Sequence, residues 1–154
     1  MLTDDEKRRI EAELDKYERK ETAYLEALKI LQECRRWISD EGIKDLAVLL
    51  NMTPDELDAI AAFYPFIFRK PVGRHIIFIC DSVSCWIMGY EGILDHIMSR
   101  LGIGLAETSA DGKFTLLPVS CIGMCDHAPA LMIDRELHLD VRMENIDRIL
   151  ESYE

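Results

Sequence analysis

The sequence predicts an α+β chain in two parts, a small N-terminal helical bundle followed by an α/β unit. Three observations predict it. Residues 1–62 repeat helix-start signals, each followed by apolar side chains at three- and four-residue steps. Residues 63–74, FYPFIFRKPVGR, interrupt that pattern with Pro65, Pro71 and Gly73. From His75 onward, short runs rich in β-branched and aromatic residues alternate with amphipathic helix patterns.

Each element has a local cause. Thr3 followed by Glu6 makes a capping box, so a helix is expected from about Asp4, with Ile10, Leu14 and Tyr17 on its apolar side. A second helix is expected over 22–39, where Leu28, Leu31, Cys34 and Ile38 recur on one stripe. Glu41-Gly42 is read as its break, and a short helix over 43–50 follows. Thr53, Pro54 and Glu56 supply an N-cap, a first-turn proline and a second capping box, for a helix ending by Ala62. The joint holds four aromatic rings, Phe63, Tyr64, Phe66 and Phe68, and reads either as a hydrophobic clamp or as a surface for a partner subunit. Beyond it, strands are expected over 75–79, 114–120 and 130–133. Weaker strand signals lie at 105–108 and 136–140, and Asp111-Gly112 marks a turn. Helices are expected over 91–101 and 143–153. The order β-α-β, β-β-α is that of a small thioredoxin-like sheet. The predicted domains are therefore 1–70, the bundle with its joint, and 71–154.

Composition narrows the function. The 154 residues carry a net charge of −11. Residues 1–70 hold 12 basic and 16 acidic side chains, and residues 71–154 hold 6 and 13. The second part is the more acidic, which argues against nucleic acid, whose binding needs a basic face, and against anionic membranes. No apolar run approaches the roughly 20 residues of a membrane-spanning helix, so no direct membrane insertion is expected. The first residues lack a signal-peptide core and are too acidic for a transit peptide. A soluble, cytoplasmic chain is expected, and in that reducing compartment clustered cysteines indicate metal or redox chemistry rather than structural disulfides.

Four cysteines form the candidate site: Cys80 and Cys85 in CDSVSC, Cys121 and Cys125 in CIGMCDHAP. Each pair sits where a strand-like run stops, HIIFI before the first and FTLLPVS before the second. Two such loops can close four thiolates, soft anionic ligands, on one metal centre. Three chemistries compete. Structural zinc usually takes tight Cys-x2-4-Cys knuckles, and the pairs here, Cys-x4-Cys and Cys-x3-Cys, allow it without the tightest geometry. A thioredoxin-type dithiol wants Cys-x-x-Cys, which neither pair has. A 2Fe-2S cluster takes four thiolates and tolerates wider spacing, and it is the favoured reading. Gly123, inside the second pair, lets the backbone turn with positive φ and aim amide N–H groups at sulfur. Ser82 and Ser84 are candidate donors in the first loop. His127 raises a Rieske-type alternative, but with four cysteines available it reads as a surface residue. Cys34, on a helical stripe, reads as a buried, inert thiol.

The stretches PVGRHIIFICDSVSC, GYEGI, LGI, ETSADGKFTLLPVSCIGMCDHAP and MID resemble the 24-kDa-type subunit family of respiratory NADH:quinone oxidoreductase (complex I). The resemblance extends to EALKILQ and AAFYPFIF in the first part, and so covers nearly the whole chain. It implies an N-terminal helical bundle and a thioredoxin-like α/β domain carrying one 2Fe-2S cluster, held by Cys80, Cys85, Cys121 and Cys125. It implies a tight heterodimer with a larger subunit that holds FMN and binds NADH, then the rest of complex I, at the cytoplasmic peripheral arm of a membrane-bound complex. Equivalent modules in NAD(P)-reducing hydrogenases or NAD-dependent formate dehydrogenases are the nearest alternative, and a zinc-stabilised structural adaptor is the alternative of another class. Trp86 stands where many members carry His, and Ser120 where an acidic residue or Cys is common; neither is a ligand position. No glycine fingerprint for a nucleotide is present, so the nucleotide sites are expected on another polypeptide and no catalytic residue is assigned here.

Overall fold

The computed structural model describes residues 1–153, with only the backbone of Glu21. The chain divides into two compact units, Met1–Pro71 and Val72–Glu154.

The first unit is four helices: α1 (Asp4–Leu14), α2 (Tyr24–Arg35), α3 (Asp40–Leu50) and α4 (Pro54–Phe63), with a 3-10 turn at Lys20–Ala23. Both predicted capping boxes form. The Thr3 hydroxyl accepts from the Glu6 amide and the Glu6 carboxylate accepts from the Thr3 amide at 2.8 Å; Thr53 and Glu56 do the same for α4. Two expectations are corrected. The second helix stops at Arg35, because Arg36 takes the left-handed conformation (φ 69°) and its amide closes onto the Gln32 carbonyl. Gly42 does not break a helix but lies inside α3, whose N-cap is Ser39, accepting from the Gly42 amide at 3.2 Å. A β-carbon there would sit 3.2 Å from Ile38, so the glycine lets α3 pack closely on the chain before it.

Ile10, Leu28, Leu31, Ile38, Leu46, Leu50 and Leu57 fill the core of this unit. The joint is tied down by polar bonds. The Gln32 amide group donates to the Phe66 carbonyl at 2.8 Å and its oxygen accepts from the Phe68 amide at 2.6 Å. Arg69 reaches Asp58 and Asp40 at 2.6 and 2.7 Å and bonds the Ile38 carbonyl. Of the joint's apolar residues Ile67 is the buried one, whereas Phe63 and Phe66 are exposed, so these two rings do not clamp the bundle.

The second unit runs β1 (His75–Cys80), α5 (Val83–Ile87), α6 (Tyr90–Leu101), β2 (Phe114–Val119), β3 (Leu131–Ile133), β4 (Glu136–His138) and α7 (Met143–Glu151), with a 3-10 turn at Cys125–His127. The sheet order is β2-β1-β3-β4. β1 pairs parallel with β2 and antiparallel with β3, and β3 pairs antiparallel with β4. The central β1 is buried along its length after His75, as a near-continuous apolar run requires. Ile77, Ile79, Leu116, Leu131 and Ile133 meet Ile93 and Ile97 of α6 and Ile146 and Leu150 of α7 in its core. β2 is an edge strand and therefore tolerates Pro118. The expected strand at 105–108 is reduced to a single bridge between Thr108 and Thr115. α5 and the 3-10 turn after Cys125 are additions to the expected elements; segments of five and three residues are too short to show a periodicity. Among the described residues, no helix is long and apolar enough to cross a membrane.

Candidate metal centre

The topology brings the cysteines together. β1 and β2 are parallel and in register, Cys80 opposite Val119, so both strands end at the same edge of the sheet. Cys80 is the last residue of β1, and Cys121 lies two residues beyond the end of β2. The Asp81 amide bonds the Val119 carbonyl at 3.1 Å and the Cys80 amide bonds the Ala130 carbonyl at 3.2 Å, fixing the departing chain between β2 and β3.

Cys85 returns toward Cys80 because α5 turns the chain back immediately. Ser82 caps the first turn with its carbonyl, which accepts from the Trp86 amide at 2.9 Å. The Ser82 side chain makes no cap bond. Cys80 and Cys85 are buried, packed with Ala128 and flanked by Tyr90 and Ile122. Cys121 and Cys125 are exposed, their sulfurs 4.0 Å apart. That separation is far too long for a disulfide. It is close to the roughly 3.8 Å expected of two thiolates on one tetrahedral ion with metal–sulfur bonds of about 2.3 Å. Gly123, at φ +88°, directs its amide at the Cys121 sulfur from 3.3 Å, as the sequence suggests.

Burial pushes the Cys85 thiol up to about 11, and nearby Cys80 and Cys125 add to the rise. An amide bond from Ala130 pulls the other way. Ionising this thiol without a cation is therefore unfavourable. A metal reverses that balance, since coordination supplies positive charge and expels the proton. Among the described residues no three His, Cys, Asp or Glu side chains stand as a preset cage for one ion. The sulfurs come from two pairs, the grouping a binuclear cluster uses.

One sequence expectation about another residue changes. Cys34 is exposed, with Arg9 donating to its sulfur at 3.1 Å, because α2 ends one residue later and the stripe does not continue to Ile38. His127 is half exposed and bonded through Nδ1 to Asp140 at 3.0 Å, in keeping with a surface role; this carboxylate, with Asp126, raises its pKa. The residues that sequence reasoning missed are Ala130, which acts through its backbone, and Ala128, Tyr90 and Ile122, which exclude water around the buried pair. Backbone donation leaves no residue-type signal, so the side chain of Ala130 gives no clue to its role.

The sequence profile of the thioredoxin-like 2Fe-2S ferredoxin family matches residues 10–154. A chain of Pseudomonas aeruginosa, named as a subunit of NADH-quinone oxidoreductase, is 48% identical over 153 residues, covering 99% of this chain and 92% of that one. The chain of the same name in Escherichia coli is 44% identical over 148 residues, covering 96% and 89%. Among solved structures, an NAD+-reducing NiFe-hydrogenase superposes with a TM-score of 0.70 at 25% identity, over 82% of this chain and 22% of that longer one.

Proposed function

The chain belongs to the thioredoxin-like 2Fe-2S ferredoxin family, and from that premise we propose that it is the iron–sulfur subunit of an NADH:quinone oxidoreductase. The observation that carries the site assignment is the convergence of the Cys80–Cys85 and Cys121–Cys125 segments at one edge of the sheet. When bound, a 2Fe-2S cluster supplies one-electron redox chemistry. Cys80, Cys85, Cys121 and Cys125 hold its irons as thiolates. The amides of Gly123 and Ala130 donate to two of those sulfurs and offset part of their negative charge. Ala128, Tyr90 and Ile122 keep water from the buried pair, which strengthens both effects.

The partner holds FMN and binds NADH, forms a tight heterodimer with this chain, and sits with it in the cytoplasmic peripheral arm of complex I. Support comes from the absence of a nucleotide-binding glycine fingerprint in the sequence and from the exposed rings Phe63 and Phe66. The corresponding module of an NAD(P)-reducing hydrogenase is the second reading, favoured by the superposition on the hydrogenase chain.

The test is spectroscopic. The purified chain is expected to be red-brown and to give a paramagnetic signal on reduction, whereas a zinc protein is colourless and silent. Serine at Cys80, Cys85, Cys121 or Cys125 should bleach or shift the visible spectrum, and Cys34→Ser should leave it unchanged. A wild-type spectrum in Cys121→Ser would sink the ligand assignment. NADH oxidation by the isolated chain would refute the division of labour.

A further inference from the structure

The four cysteines are not equally open to a solute. Cys80 and Cys85 keep 3% and 2% of their surface, covered by Ala128, Tyr90 and Ile122. Backbone bonds to Val119 and Ala130 hold the chain at Cys80 and Asp81 in place. These two thiols meet a reagent only when their cover opens locally. Cys121 and Cys125 need no such opening, since both are exposed, on the loop and 3-10 turn that follow β2.

The exposed cysteines are also arranged as a pair. Their sulfurs stand 4.0 Å apart, close to the spacing of two thiolates on one metal ion. The Gly123 amide is already aimed at the Cys121 sulfur from 3.3 Å. Ile122 links the two halves of the site. It lies between Cys121 and Gly123 in sequence, yet its side chain packs on the buried pair. A shift of the loop that bears Cys121 therefore changes the cover over Cys80 and Cys85.

We propose that the two pairs engage the cluster in a fixed order: Cys121 and Cys125 take it from a thiol-ligated 2Fe-2S donor, and Cys80 and Cys85 complete its coordination after the Ile122 loop shifts. The proposal rests on the iron–sulfur reading above and adds the order of assembly. Each step exchanges one ligand for another. A cysteine of this chain gives up its thiol proton and bonds iron, and a thiolate of the donor leaves with that proton as free thiol. Each of the four cysteines makes one such exchange, and neither iron nor sulfide changes oxidation state. The reverse order would bring the donor, larger than the cluster it carries, past Tyr90 and Ile122 to sulfurs that are buried.

The experiment uses the full chain without its cluster, in a Cys34→Ser background that removes the exposed thiol of the first unit. Iodoacetamide labelling under native conditions, read by peptide mass, is expected to modify Cys121 and Cys125 about tenfold or more faster than Cys80 and Cys85. Ile122→Ala is expected to speed labelling of Cys85 and leave that of Cys121 unchanged. Uptake from the glutathione-ligated 2Fe-2S complex, followed by stopped-flow visible circular dichroism, is expected to show a fast and a slow phase. Changing Cys80 and Cys85 together to alanine should remove the slow phase and keep the fast one. Changing Cys121 and Cys125 together to alanine should slow the fast phase about tenfold or more. Equal or reversed labelling, which needs no substitution at the site, overturns the order, as does wild-type capture by the chain lacking Cys121 and Cys125. A wild-type chain that takes up no 2Fe-2S cluster overturns the iron–sulfur reading and the order with it, whereas normal uptake with the opposite dependence overturns the order alone.

Discussion

Glu6 is the only buried charged side chain among the described residues, at 5% exposure, and its removal has a calculable consequence. Its carboxylate accepts from Arg35 Nε at 2.6 Å and Nη2 at 2.7 Å, besides the Thr3 amide of its capping box. The Arg35 guanidinium holds the carboxyl down from 4.5 to about 2, against the opposing pull of burial. At about 1.4 kcal/mol per tenfold change in proton affinity, that depression is equivalent to at most about 3–4 kcal/mol of stability. The Arg35 side chain keeps 26% exposure, so solvent screens part of the interaction. The expected cost of Glu6→Gln at pH 7 is therefore about 2 kcal/mol, below the range for a fully buried pair. Because the folded pKa is depressed, this stability is present above the unfolded value of 4.5 and is lost as pH falls toward about 2. Urea unfolding in a Trp86→Phe background, where Trp37 reports the first unit, measures it. The difference between wild type and variant should shrink by about half between pH 7 and pH 3. A difference that stays constant over that interval would refute an electrostatic role for the pair.

Two further outcomes are expected from glycine positions and one from the cluster's neighbours. A β-carbon at Gly73 would stand 2.9 Å from the backbone of Lys113 and Phe114, so Gly73→Ala should destabilise the second unit by about 1–3 kcal/mol, read from Trp86 fluorescence during urea unfolding. Gly92, inside α6 with open space around it, should instead gain about 0.5–1 kcal/mol when changed to alanine; a loss there would mean that propensity does not govern the site. Asp81 and Asp126 each follow a proposed ligand and both are exposed, so Asp81→Asn and Asp126→Asn should raise the reduction potential only modestly, on the order of 10–50 mV. If redox titration finds both unchanged or more negative, local charge is not what sets it.

What the sequence disclosed depended on whether the determining interaction was local. Thr3 with Glu6 and Thr53 with Glu56 satisfy helix-end groups three residues away, so both starts were legible. The strand ends at Cys80 and Val119 were legible because apolar runs stop there. Gly42 misleads because its place is set by Ile38 and Leu31 packed against it, and by Ser39 capping the helix upstream of it. Cys34 misleads because a left-handed Arg36, which no residue type demands, ends the stripe before Ile38. At the metal centre, the amide of Gly123 is foreseeable from its glycine, but that of Ala130 arises from the pairing of distant segments.

The peptide units flanking Ala130 have a consequence for how this site drifts over generations. The carbonyl of Ala130 receives the Cys80 amide, and its own amide points at the Cys85 sulfur, so one residue fixes the backbone of one buried cysteine and bonds the thiol of the other without using its side chain. Substitution at position 130 therefore leaves the donor in place as long as the replacement is small enough for a buried position and is not proline. The electrostatic setting of Cys85 is insulated from most point mutations there and travels with strand pairing. Swapping that peptide N–H for an ester oxygen is the change that reaches it directly.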